Sequence, residues 1–480
     1  MARKMLQFVT VDRHMPTKRG ADDRAKDFGE IYGAFTEEAA AAQAGRCSQC
    51  GVPFCQQGCP LQNNIPDWLM LAAEGRMQEA YEVSSATNNM PEICGRICPQ
   101  DRLCEGICTI EQSGHGTVTI GAVEKHITDT AWDEGWVQPI VPRRERPQSA
   151  GIIGAGPAGL AAAEQLRRKG YQVTVYDRYD RGGGLLVYGI PGFKLEKNVV
   201  ERRIKRLEDS GIHFRFNTDV GLDIGLSELR AQHDSVLIAT GVYAARDLKV
   251  PGIGLSGVHA ALDFLTASNR KGFGDDVPAF EDGTLNAEGK HVVVIGGGDT
   301  AMDCVRTAVR QGAAKVSCLY RRDRTNMPGS QREVTNAEEE GVNFEWLAAP
   351  EAVLDKDGRM SAVRAARMKL GPKDASGRQA PTKTGETFDL EADMVIKALG
   401  FDPEDLPALF DEPALTVNRW GAVRIDFKTM ETSLRGVFAA GDIVRGASLV
   451  VWAIKDGRDA ADAMHKHMQA EASVTPVAAE

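Results

Sequence analysis

AGIIGAGPAGLAAAEQLRRKGYQVTVYD, residues 150–177, is the stretch whose reading decides the fold. Ala150–Ile153 opens an apolar strand, and Gly154, Gly156 and Gly159 then fill a G-x-G-x-x-G pattern. LAAAEQLRRKG reads as a helix, and YQVTVYD as a second strand ending at Asp177, 23 residues beyond Gly154. The first glycine allows the tight turn, the second lets backbone approach a pyrophosphate, and the third lets helix pack on strand. The helix N-terminus offers partial positive charge to the phosphates. Asp177 is placed to accept hydrogen bonds from an adenosine ribose. A lone glycine pattern is equally a structural turn. Strand, helix, second strand and terminal acid together select dinucleotide binding.

Downstream, KHVVVIGGGDTAMDC (290–304) repeats the signature, with Gly296, Gly298 and Ala301 in the three positions. A helix runs to about Gly312, and the strand AKVSCLY ends at Tyr320. No acid occupies the ribose position. Arg321, Arg322 and Arg324 follow instead. Arginine there accommodates a 2′-phosphate through bidentate, charge-assisted hydrogen bonds, which favours NADPH over NADH. A solvated arginine pair is the plainer alternative. The fingerprints lie 142 residues apart, a duplication of architecture and not of sequence. DSVLIATG (234–241) and ADMVIKALG (392–400) are matching strands that end in small residues. RGGGLLVYGIPGFKL (181–195) reads as an extended ordered loop, followed by an amphipathic helix, EKNVVERRIKRLEDSG, closing at Gly211. Near the C-terminus Gly441 and Asp442 end a buried strand, a helix starts near residues 447–449, and QAEASVTPVAAE (469–480) is expected to fray.

Upstream, the chain reads C47-x2-C50-x4-C55-x3-C59-P60 and then C94-x3-C98-P99-x4-C104-x3-C108. Eight of ten cysteines thus fall within 62 residues. Three closely spaced cysteines plus a fourth followed by proline have the form of an iron–sulfur run, in which the fourth can serve another cluster. Zinc knuckles favour paired short spacings, and only Cys47 and Cys50 are separated by two residues. Disulfides need an oxidising compartment. Iron–sulfur binding is the favoured reading, with zinc and disulfides as alternatives. TEEAAAAQAGR (36–46) and two helices split by Gly75 surround the cysteines, so the first 145 residues read as α-helical. The basic residues of the opening segment, Arg3, Lys4, Arg13, Lys18, Arg19, Arg24 and Lys26, read as a solvated arm, with contact to an acidic partner as the alternative. PIVPRRERPQSAG (139–151) reads as a linker.

At 480 residues the chain should hold about three domains, with ordinary apolar (42%) and charged (26%) content. A formal charge of −10 argues against a nucleic-acid footprint. There is no secretory h-region and no apolar run near ~18 residues, so a cytoplasmic setting without membrane contact is expected.

GAGPAG with its acid, the ATG-type strand end, an inserted second fold and a late AAGD together resemble two-dinucleotide-binding flavoproteins. With the eight cysteines, RGGGLLVYGIP and VIGGGDTAMDC added, residues 30–465 resemble the small-subunit family of NADPH-dependent glutamate synthases. The N-terminal region is also similar to that of dihydropyrimidine dehydrogenase. The resemblance implies an α/β protein: two Rossmann-like domains, for FAD and NADPH, the second inserted in the first, preceded by an α-helical iron–sulfur domain. Expected divisions are 1–145 for two 4Fe-4S clusters, 146–260 and 401–480 for FAD, and 261–400 for NADPH. It implies an FAD site of Gly154, Gly156, Pro157, Ala158, Gly159, Asp177, Gly184, Leu185, Gly241, Gly441, Asp442, Ser448, Leu449 and Val450. The NADPH site would comprise Gly296, Gly297, Gly298, Asp299, Thr300, Ala301, Arg321, Arg322 and Gly400. One cluster would take Cys47, Cys50, Cys55 and Cys108, the other Cys59, Cys94, Cys98 and Cys104.

Nicotinamide gives two electrons as hydride, clusters carry one, and a flavin converts between them. No catalytic histidine or carboxylate is therefore required, and Cys304 and Cys318 read as core residues. The implied partner is a large (α) subunit carrying FMN and an iron–sulfur cluster, in a hetero-oligomer that makes glutamate from glutamine and 2-oxoglutarate. A ferredoxin- or pyrimidine-linked electron-transfer subunit is one alternative, and a redox-sensing iron–sulfur protein is another.

Overall fold

Ser149–Ile153, the strand ahead of the first fingerprint, lies at the centre of a five-stranded parallel sheet. Gln172–Tyr176 and Ile212–Arg215 follow on one side, Ser235–Ile238 and Val437–Ala439 on the other. The computed structural model describes residues 6–375 and 377–474. A second parallel sheet repeats the plan around His291–Ile295, flanked by Lys315–Tyr320 and Asn343–Trp346, and by Met394–Lys397 and Val258–Ala260. Its first strand, Val258–Ala260, lies just before residue 261, where the sequence places the domain division. The inner strands are buried on both faces, as parallel sheets covered by helices require. Each fully buried Val, Leu or Ile side chain contributes about 1.5–3 kcal/mol to the gross burial term.

The chain crosses between the sheets twice, and the crossings pair antiparallel at Ala244–Ala245 and Phe401–Asp402. A three-stranded antiparallel sheet, Ala348–Lys356, Arg359–Lys373 and Gln379–Glu391, extends the second fold. No motif or spacing in the sequence marks it. Residues 181–195 are not wholly extended: Leu185–Tyr188 form one helical turn. Leu186, Val187 and Tyr188 are buried, and Asn269 Nδ2 donates to the Tyr188 carbonyl at 2.9 Å.

The N-terminal region is helical, with Glu37–Ala44, Ile65–Ala73, Met77–Thr87, Pro91–Ile97 and Ile120–Asp133 around Trp68. The Trp68 indole N–H donates to Asn63 Oδ1 at 2.9 Å, which satisfies its one polar atom in the core. Arg203 of the helix Lys197–Asp209 grips Glu92 of Pro91–Ile97 at 2.7 and 2.9 Å, joining this layer to the first sheet. Removing one partner of such a buried pair costs roughly 3–5 kcal/mol.

The basic opening segment is not wholly a solvated arm: Lys26 is exposed, but other residues turn inward. Arg24 is fully buried and pairs with Glu339 and Glu340 of the second fold, and Lys18 also meets Glu339. Arg306 and Arg310 share Glu340 and lie over the Phe193 ring at 4.4 and 3.9 Å. A buried carboxylate needs such partners, so the arm is drawn inward. Arg3 and Lys4 lie outside the described residues. The last helix, Val450–Val474, runs through the segment expected to fray as far as 474, and the rest of that segment is outside the described residues. It packs on Pro157–Arg168 so closely that a Cβ at Gly457 would lie 2.1 Å from the Ala158 carbonyl.

Candidate functional site

Both fingerprints obey one geometry. Gly154 has φ +109°, and a Cβ there would lie 2.4 Å from the Ala239 carbonyl of the neighbouring strand end. Gly296 has φ +152°, and its Cβ would lie 2.2 Å from the Ala398 carbonyl. A side chain would suffer both the contact and the strain. The second glycines, Gly156 and Gly298, have nothing within 4 Å of the Cβ position, so the backbone is free on that side at each helix start. The third position packs inward: a Cβ at Gly159 would lie 1.9 Å from the Gly154 carbonyl, and Ala301 is fully buried. Gly297 lies against the Tyr320 ring, its Cβ position 2.2 Å away.

Asp177 is held by its own strand turn. Its carboxylate accepts from the Ala155 amide at 2.6 Å and the Tyr179 amide at 2.9 Å. Burial pushes its pKa up, and those two amides oppose the rise. Asp442 is pushed to about 6, chiefly by burial. Gly441 stands behind it, with a Cβ position 2.9 Å from Ala158 Cβ.

These groups meet at one cavity of about 350 Å³. Gly154, Gly156, Pro157, Ala158, Asp177, Leu185, Gly241, Asp442, Ser448, Leu449 and Val450 line it from the first fold, and Asp299 and Thr300 from the second. Gly159, Gly184 and Gly441 are not in its lining, nor are Gly296, Gly297, Gly298, Ala301, Arg321, Arg322 and Gly400. Among the described residues Arg321 and Arg322 enter no ion pair, whereas Arg324 is clamped by Glu338 at 2.6 Å.

The sequence missed part of the wall. Lys194 and Asp303 line it as an ion pair 2.8 Å apart, with Glu333 3.9 Å from the ammonium. Burial pushes Asp303 up to about 6. Lys194 stays charged despite burial because Asp303, Glu333 and Asp299 surround it. Both residues sit in motifs already quoted, but only tertiary contact pairs them. Glu30, Ile31, Tyr32 and Gly33 of the arm, with Arg96 and Lys125, close another side. No local pattern marks these.

The eight cysteines gather in two fours. Cys55 is pushed up to about 12 by burial and by the neighbouring thiols of Cys47, Cys108 and Cys50. Cys94, Cys98 and Cys104 are raised by burial, and each also feels Cys59. Burial raises Cys59 as well, and the nearby backbone N–H groups of residues 61–63 oppose that rise. Cys59, Cys94, Cys98 and Cys104 line a small pocket with Val451, whose neighbours Leu449 and Val450 line the main cavity. Among the described residues no cysteines are joined in a disulfide, and no three His, Cys, Asp or Glu converge tightly enough to hold one metal ion. A cubane cluster spreads its four thiolates more widely than one ion does, so two sets of four thiols fit it by donor chemistry. Cys304 and Cys318 are fully buried in the second fold's core.

A family model described as dihydropyrimidine dehydrogenase domain II, 4Fe-4S cluster, matches residues 24–136. One described as pyridine nucleotide-disulphide oxidoreductase matches residues 149–457. The glutamate synthase [NADPH] small chain of Azospirillum brasilense is 66% identical over 477 residues, 99% of this chain and 98% of that one. The protein of the same name from Escherichia coli K12 is 45% identical, covering 96% and 98%. The structure of Mycobacterium tuberculosis FprA in complex with NADPH covers 68% of this chain and 86% of its own, with TM-score 0.56 and 23% identity, a likeness of fold.

Proposed function

Since this chain belongs to the family of glutamate synthase [NADPH] small chains, we propose that it draws electrons from NADPH through FAD and two 4Fe-4S clusters to a large subunit, which forms L-glutamate from L-glutamine and 2-oxoglutarate. It is an NADPH-dependent oxidoreductase with an iron–sulfur domain and a flavin- and pyridine-nucleotide-binding fold. The observation that carries the proposal is one cavity lined by the first fingerprint and by Asp299 and Thr300 of the second, with one cysteine set lining a small pocket beside Val451, next in the chain to the cavity residues Leu449 and Val450.

Bound FAD would supply the exchange between hydride and single electrons that nicotinamide and clusters cannot make directly. The chain's own residues do the positioning. Gly154 makes the tight turn, Gly156 lets the backbone approach the pyrophosphate, Gly159 lets the helix pack on the strand, and Asp177 offers its remaining lone pairs to the ribose. The helix starting at Val450 directs its positive end into the cavity, beside Ser448 and Leu449. Gly296, Gly298 and Ala301 repeat the cradle for NADPH, with Arg321 and Arg322 left for the 2′-phosphate. Asp299 and Thr300, next to that second cradle, line the same cavity as the first fingerprint, which supports hydride transfer over a short distance there.

Cys59, Cys94, Cys98 and Cys104 would hold the cluster nearer the flavin, and Cys47, Cys50, Cys55 and Cys108 the outer one. The contact of the first set with Val451 supports that order. Among the described residues no helix is long and apolar enough to cross a membrane. A cytoplasmic complex is proposed.

Anaerobic NADPH added to the purified chain should bleach the flavin and then raise a reduced-cluster EPR signal. The large subunit should co-purify at native abundance. Flavin reduction with no cluster reduction would sink the proposed route.

A further inference from the structure

We propose that Arg102, a side chain of the cysteine-bearing domain, completes the pyridine-nucleotide site by binding the pyrophosphate. This rests on reading the second fold as the NADPH site. The helix Asp299–Arg310 starts directly after Gly298, where a Cβ would meet nothing within 4 Å, while the Gly329 amide donates to the Gly297 carbonyl at 2.9 Å on another side. Such a terminus attracts pyrophosphate through its free amides and dipole. Its first residue, however, is an aspartate. The first fold has Pro157 at the same position. A carboxylate there opposes an anion at the point where the fingerprint is meant to hold one.

Arg102 resolves the conflict. Its Nη2 donates to Asp299 Oδ2 at 3.1 Å, while Asp299 Oδ1 accepts from the Ser330 amide at 2.9 Å. Its Nη1 donates to the Pro328 carbonyl at 2.5 Å. A guanidinium carries five N–H donors, so others remain at the mouth of the helix, and the side chain is 41% exposed. Arg102 therefore neutralises the carboxylate and brings charge-assisted donors to an anion.

Its position is fixed in register. Gln100 Oε1 accepts from Arg332 Nη2 at 3.2 Å, and Ser330 Oγ donates to Asp101 Oδ2 at 3.3 Å. Gln100 Nε2 also donates to the Cys94 carbonyl at 2.9 Å. Three successive residues between Cys98 and Cys104 thus dock on residues 328–332. Charge repulsion at Asp299 and the open space over Gly298 call for more than a docking contact.

The test measures dissociation constants of full-length holoprotein for NADPH, NADH and adenosine 2′-monophosphate, which has no pyrophosphate. Arg102→Ala should weaken NADPH and NADH alike, by roughly tenfold or more, as loss of a charged hydrogen bond does. Adenosine 2′-monophosphate should bind as before, and Arg102→Lys should recover part of the loss. An unchanged NADPH constant, or an equal loss for all three probes, would overturn the proposal in favour of a docking role. Wild-type protein that bound none of the three would overturn the NADPH reading of the second fold, and this proposal with it.

Discussion

Lys194 Nζ lies 2.8 Å from Asp303 Oδ1, and this buried pair ties the loop after the first fingerprint to the helix of the second. One ammonium serves three acids, since Glu333 and Asp299 also face it. That crowding keeps the lysine charged, while burial leaves Asp303 easy to protonate, at about 6. The pair therefore sets how the two nucleotide folds face each other across the cavity.

Lys194→Met should destabilise the protein by roughly 3–5 kcal/mol, because it strands buried carboxylates. Adding Asp303→Asn should return much of that loss. Thermal denaturation of the two variants checks this. A double variant no better than the single one would mean that Lys194 acts through packing alone.

Glu164 gives the acid limb. Burial raises its pKa, but Arg206, Arg203 and Arg168 outweigh it and hold the carboxyl down at about 2. A depressed pKa stabilises the fold above the unfolded value of 4.5, and that contribution is lost as pH falls through 2. The span corresponds to about 3 kcal/mol. The Tm gap between wild type and Glu164→Gln should be wide at pH 6 and nearly closed by pH 2. A gap independent of pH would refute the linkage.

Arg321→Ala with Arg322→Ala should raise KM for NADPH far more than for NADH, since only NADPH has the 2′-phosphate. Arg324→Ala should instead lower stability slightly, because Arg324 is half exposed and already engaged by Glu338. Steady-state kinetics with both nucleotides separate the roles. Equal changes for both would remove the 2′-phosphate assignment.

Metal analysis should return about eight irons and eight sulfides per chain. Cys98→Ser should abolish the signal of one cluster and electron outflow while FAD and NADPH still bind. Cys304→Ala should leave iron content and electron transfer intact, because that thiol is enclosed in the core of the second fold. Stoichiometric zinc in place of iron would overturn the cluster assignment.

Local spacing settled much of this in advance. Gly154, Gly156, Gly159 and Asp177 lie within one strand–helix–strand unit, so their meaning does not depend on remote chain. The helices split at Gly75 and the two paired fold plans were legible for the same reason, as each rests on short-range periodicity. The ribbon Arg359–Lys373 with Gln379–Glu391 was not legible. Much of it is solvent-exposed, so its sequence lacks a sustained apolar alternation. The basic opening segment misled, because a charged stretch looks the same whether solvent or buried carboxylates receive it.

By itself, the sequence determined two strand–glycine–helix fingerprints, arginines after the second strand of the second one, and eight thiols in one region. Those are properties of residues near one another along the chain. Only the tertiary structure decided that Asp299 and Thr300 line the same cavity as the first fingerprint, that Cys59, Cys94, Cys98 and Cys104 line one small pocket, that Arg24 is buried against Glu340, and that Arg102 meets Asp299. The last two pairs join residues 316 and 197 positions apart in the chain. Attraction between opposite charges has to offset the cost of taking them out of water, fully so at Arg24 and Glu340, and no local pattern records which distant partner will be there.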